Sequence, residues 1–180
     1  MEKLTTQGAT LISVKSPQTS IRQMPDIELD QIDRKIINLL QGNSQITNLE
    51  LADAVAVSPP TCLRRVRRLR EAGVIAKDVS IVDPSKLGSH IQLIVTVELK
   101  GDDRVLMDAF EKTIHAQGCV MQCYLVTGST DYVLMVCVKN MSEFEKFARA
   151  TLYANPLIKR FITLTVISRV KYETRIPIDV

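Results

Sequence analysis

The sequence predicts an α+β fold in two parts: a helix-turn-helix segment followed by a ferredoxin-like βαββαβ domain. Three observations carry this. Helical segments with clear start signals crowd residues 28–76, strand and helix patterns alternate over residues 90–170 of a second domain placed at 90–176, and positive charge concentrates on one helix of the first part. A length of 180 residues can bury a core, and a composition 46% hydrophobic and 24% charged argues against a mainly disordered chain, a collagen-like repeat or a disulfide scaffold.

Residues 1–27 are rich in Ser, Thr and Gln without periodicity and read as a disordered arm. Met24 leaves two options open for residues 1–23: an overcalled start, or a flexible arm whose Lys3, Lys15 and Arg22 touch DNA backbone. The first helix begins at Asp30 and carries Ile32, Ile36, Ile37, Leu39 and Leu40 at helical spacing, stopping near Gly42-Asn43. Thr47-Asn48-Leu49-Glu50 is a capping box that opens the second helix. After a turn at Ala56-Val57, Ser58 caps the third helix, and Pro59 sits where a missing N–H costs nothing. That short gap between helices is the spacing of a helix-turn-helix, placed at about residues 48–67.

The third helix carries the chemistry. Cys62, Leu63, Val66 and Leu69 fall on one face, while Thr61, Arg64, Arg67, Arg68 and Glu71 cluster opposite, with Arg65 and Arg70 at the margins. Residues 56–77 hold six positive charges and Glu71 as their one acid, whereas residues 78–180 balance twelve against twelve. The net +3 of the chain therefore hides a local basic footprint, the kind that binds a polyanion. A solvated helix face normally mixes signs, whereas Glu71 is the only acid here. Arginine forks suit phosphate and guanine edges, and the helix start, with Pro60, Thr61 and Arg64, would enter a major groove deepest.

Beyond Gly73, Val74-Ile75 lead toward a short strand, and Val79, Ile81 and Val82 predict a linker strand within residues 77–89. Ile91 to Leu99 alternates as a strand; Asp103 to Gln117 is helical through Leu106, Ala109, Phe110 and Ile114. Val120 to Val126 and Tyr132 to Val138 are strands joined by Thr127-Gly128-Ser129-Thr130-Asp131. A second capping box, Ser142 with Glu145, opens a helix burying Phe144, Phe147 and Leu152, and Phe161 to Val170 is the last strand. Tyr132 to Val138 is apolar on both faces, yet helices cover one face of such a sheet; a second copy is the economical cover for the other.

The longest apolar run has seven residues and no secretory leader pattern opens the chain, so a cytoplasmic protein is expected. Cys62, Cys119, Cys123 and Cys137 lack zinc spacing and His90 and His115 stand apart, so no metal is expected and the thiols read as reduced core residues.

Leu29-Asp30-x-Ile32-Asp33, Asn48-x-Glu50-Leu51-Ala52, Ser58-Pro59-x-x-Cys62-Leu63-Arg64-Arg65-Val66-Arg67-Arg68-Leu69, Gly73-Val74-Ile75, Val126-x-Gly128-x-x-Asp131-Tyr132 and Ser168-Arg169-Val170-Lys171, in this order, resemble the Lrp/AsnC (feast/famine) transcriptional regulators. The resemblance spans about residues 28–176. It implies a winged helix-turn-helix, and a ligand-binding and dimerisation domain that assembles further, often to octamers. It implies no enzyme and no cofactor, but a small-molecule effector, usually an amino acid, held between dimers. The DNA-contact set would be Asn48, Ser58, Pro60, Thr61, Arg64, Arg65, Arg67 and Arg68. The effector set would be Leu125, Gly128, Ser129, Thr130, Asp131, Met141, Leu164 and Val166. Three positions depart from the family pattern: Ala56 where glycine is common, Pro60-Thr61 where threonine commonly precedes the second proline, and Ser129 where an acid is common. Two rival functions remain: an architectural DNA binder, and an enzyme resembling siroheme decarboxylases.

Overall fold

The computed structural model describes residues 27–83, 86–88, 90–101 and 103–179; the expected arm, up to residue 26, lies outside them. The described residues form two compact units. Those up to Val79 belong with those from Thr174 onward, and Ser80–Glu173 form the other.

The first unit is built on α1 (Gln31–Gly42), α2 (Asn48–Ala54) and α3 (Pro59–Glu71). Reciprocal side-chain caps start two of them: Asp30 with Asp33 on α1, and Thr47 with Glu50 on α2. Ile36, Ile37, Leu51, Ala52, Val55, Cys62, Val66 and Leu69 are buried together, so each helix is amphipathic toward one small core. Leu63, expected on that buried face, is 41% exposed. The α2–α3 turn holds Ala56 at φ +55, the left-handed region in which a Cβ crowds the following carbonyl. The expected strands after α3 do not form. Val74 and Ile75 pack into the helical core, the Ile75 amide donates to the Leu69 carbonyl at 3.2 Å, and residues 77–83 belong to no helix or strand among the described residues.

The chain's last residues return to this unit rather than closing the second. The Gln41 amide side chain donates to the Ile176 carbonyl (3.1 Å) and accepts from the Ile176 amide (2.6 Å), while Ile178 packs on the helical core.

The second unit runs β1 (Ile91–Leu99), α4 (Arg104–His115), β2 (Val120–Leu125), β3 (Tyr132–Val138), α5 (Met141–Phe147) continued by a π-helical segment Ala148–Tyr153, and β4 (Ile158–Thr165). The sheet is antiparallel in the order β2-β3-β1-β4. One face, through Leu93, Val95, Val97, Leu99, Tyr132, Leu134, Val136 and Val138, buries against Met107, Phe110, Ile114, Phe144, Phe147 and Leu152. Helix α4 buries Met107 where Leu106 and Ala109 were expected; both of those are exposed. Asn140, not Ser142, caps α5: its side chain accepts from the Glu143 amide, and the Glu143 carboxylate accepts from the Lys139 amide. Strand β4 starts earlier than its apolar pattern suggested and ends at Thr165, opposite Leu93, beyond which one bond follows, Val166 amide to Gln92 carbonyl.

The opposite face of this sheet has no covering element among the described residues. Register places Tyr124, Val133, Met135, Cys137, Ile94, Ile162 and Leu164 there, with Ile162 and Leu164 about half exposed.

Candidate nucleic-acid interface and effector site

Helix α3 is pinned by its apolar back and by two polar attachments. Asn48 Nδ2 donates to the Pro59 carbonyl at 2.9 Å, joining the starts of α2 and α3. Asp33, fully buried on α1, accepts from Arg65 Nη1 at 2.9 Å and from Arg68 Nη2, while Arg65 Nη1 also reaches Asp30 Oδ2 at 2.7 Å. The Asp33 amide and the Arg65 guanidinium together hold the Asp30 carboxyl below the usual carboxylate range.

The residues expected to touch DNA therefore divide. Pro60, Arg64 and Arg67 are exposed, and neither arginine pairs with a described residue. Ser58 occupies the N-cap, but its hydroxyl bonds the Thr61 hydroxyl at 2.8 Å instead of a backbone amide. Arg65 departs from the expectation: its side chain is 20% exposed and turned to Asp30 and Asp33, partners 35 and 32 residues away. Arg68 is half exposed with one nitrogen already committed, and Asn48 spends its amide on Pro59. Arg70 pairs with Asp78 at 2.9 Å.

The expected effector residues fall at opposite ends of the sheet. The Gly128–Asp131 turn sits beside Val97 to Leu99: Asp131 Oδ2 accepts from the Leu99 amide at 2.7 Å, the Asp131 amide donates to Val97, and Thr130 Oγ1 donates to the same carbonyl at 2.8 Å. Gly128, at φ +134, supplies a backbone that side chains rarely adopt. Asp131 thus ties the turn to β1 through one carboxylate oxygen. Leu125 is half-buried against the helix-side core. Leu164 pairs opposite Ile94 and Val166 bonds Gln92, at the far end of β1. Met141, half exposed at the start of α5, follows the end of β3 that pairs with Ile91. About five strand residues, roughly 17 Å, separate the two groups, so one chain does not close a crevice around both.

A cavity of about 120 Å³ opens beside the turn, lined by Thr96, Glu98, Ser129, Thr130, Arg160, Phe161 and Ile162. Its charged pair, Arg160 Nη2 to Glu98 Oε2 at 3.0 Å, was not anticipated; the one signal was an acid on the second face of an apolar strand. Lys159, with Arg160 beside it, holds Glu98 below the usual carboxylate range. A larger hollow of about 520 Å³ over Glu145, Arg149, Tyr153 and Ala154 is an open surface dish containing none of the expected residues.

Comparison with known proteins identifies these two units. Residues 29–76 match a model of winged helix-turn-helix DNA-binding domains, and residues 92–176 match the Lrp/AsnC ligand binding domain. An HTH-type transcriptional regulator of Sinorhizobium fredii, y4tD, is 42% identical over 154 residues, covering 86% of this chain and 91% of its own. The chain belongs to the Lrp/AsnC family. The leucine-responsive regulatory protein of Rhizobium meliloti is 36% identical over 145 residues, covering 81% of this chain and 93% of that one. A transcriptional regulator of Neisseria meningitidis, crystallised as a complex with L-Met, superposes with a TM-score of 0.75 at 30% identity, covering 83% of this chain and 97% of that one. The chain is thus a DNA-binding transcriptional regulator with a ligand-binding domain, of a family of regulators rather than enzymes.

Proposed function

We propose that this Lrp/AsnC regulator recognises specific operator DNA as a dimer or higher oligomer, in the cytoplasm, and that an amino acid or related metabolite alters that binding. The observation that carries the reading is α3, a helix braced through Asp33 and Asn48 that presents Arg64 and Arg67 with Thr61 and Pro60 at its start. The apolar open sheet face supports a dimer by the same reasoning that buries any contiguous apolar patch. The effector residues, split between two ends of one sheet, support a site completed by another copy. The Neisseria relative's complex with L-Met and the name of the leucine-responsive relative point to an amino acid as the effector class.

The test is a fluorescence titration of the full chain on a duplex it enriches from a random pool, repeated with each of the twenty amino acids and their keto acids. Tighter binding to the enriched duplex than to random DNA, shifted by at least one compound, is expected. Equal affinity for both duplexes would establish an architectural binder instead. A ligand regulates here only through its difference in affinity between states, so a compound that binds without shifting DNA affinity is not the effector.

A further inference from the structure

The arginines of α3 do not form one basic face. Arg64 and Arg67 stand exposed without a described partner, whereas Arg65 and Arg68 converge on Asp33. Asp33 is fully buried, and a buried carboxylate keeps its charge only where cations and hydrogen bonds replace water. Its Oδ2 also accepts the Asp30 amide at 3.3 Å as half of the α1 capping box, so it cannot swing away without undoing the helix start. A phosphate reaching for Arg68 therefore finds only the nitrogens that Asp33 leaves uncommitted, next to a negative charge that offsets the guanidinium's own.

We propose that Asp33 is a positioning residue that withholds Arg65 and Arg68 from the DNA backbone; with Arg70 paired to Asp78, Arg64 and Arg67 are left as the α3 arginines that neutralise phosphate. This rests on α3 being the DNA-contacting helix. The consequence is specificity. Each phosphate contact adds affinity for every sequence alike, so two arginines held back lower binding to random DNA and leave base contacts a larger share of the total.

The experiment measures the dependence of log affinity on log salt for the full chain, on random and self-enriched duplexes, with Arg67→Gln, Arg68→Gln and Asp33→Asn variants. Arg67→Gln should flatten the slope by about 0.9 for each phosphate it no longer neutralises. Arg68→Gln should leave it unchanged, since the charge of its guanidinium is offset by Asp33. Asp33→Asn should steepen the slope and raise affinity for random DNA, narrowing the ratio between the two duplexes. A merely structural Asp33 would weaken both complexes together at constant slope. Arg68→Gln flattening the slope as much as Arg67→Gln overturns the proposal, as does a folded Asp33→Asn protein with an unchanged or flatter slope. Should Asp33→Asn fail to fold, the Arg67 and Arg68 comparison decides alone. If neither arginine variant alters the slope, the assignment of α3 as the DNA helix fails instead.

Discussion

Replacing Ala56 by glycine should stabilise the helix-turn-helix unit. Ala56 sits at φ +55 in the α2–α3 turn, where a Cβ costs roughly 1–2 kcal/mol that glycine does not incur. Against this, glycine adds freedom to the unfolded chain worth about 0.5–1 kcal/mol. Ala56 is exposed, so losing its methyl opens no cavity. The backbone bonds that define the turn, Ala56 amide to Asp53 carbonyl and Val57 amide to Ala52 carbonyl, both at 3.0 Å, involve no side chain and persist. The net expectation is a gain of about 0.5–1 kcal/mol. In urea, with a slope of about 2 kcal/mol/M, that moves the midpoint up by about 0.3–0.5 M without changing the slope. The β-branched Ala56→Val should shift it the other way, because two γ-carbons crowd the same carbonyl. A lower midpoint for Ala56→Gly would refute the reasoning, since it would mean the left-handed turn imposes no penalty on alanine.

Acid should weaken the fold: Asp30, Glu50 and Glu98 are all held below the usual carboxylate range, by the Asp33 amide and Arg65, by the Thr47 hydroxyl and amide, and by Lys159 and Arg160 respectively. Folded values below the unfolded value of about 4 mean that this stability is full above that pH and lost as pH falls through the folded values, so the urea midpoint should drop between pH 6 and pH 3. Gln41→Ala removes both bonds to Ile176 and, at an exposed site, should cost about 0.5–1 kcal/mol, visible as faster hydrogen exchange at the Ile176 amide; unchanged exchange there would show that the chain's end is not held by α1. On the open sheet face, Ile162→Asp should reduce the sedimenting species to the 20.1 kDa monomer, and an unchanged oligomer would place the interface elsewhere.

Local patterns told much of this fold. The caps at Asp30 and Thr47, the prolines at 59 and 60, and the alternation in β1 act within a few residues, so helix and strand positions followed from neighbours in the chain. Where two local signals competed, the pattern misled: Ser142–Glu145 and Asn140–Glu143 both suit a cap, and the end of β3 at Val138 selected the second. The linker residues Val79 to Val82 have strand propensity, but a strand needs a neighbour, and among the described residues none is supplied.

The candidate site shows the same division more sharply. The sequence by itself located the basic helix, its apolar back and the turn at residues 128–131, because helical periodicity and charge density are properties of contiguous residues. Only the tertiary structure decided which of those groups are free. Asp33 takes Arg65 and Arg68 across more than thirty residues, Leu99 takes Asp131 across 32, and Ile176 meets Gln41 across 135. A side chain's availability depends on what folding brings within hydrogen-bond reach, and buried charge makes such pairings obligatory. Residue type and spacing say what a group is able to bind; packing determines what it has already bound.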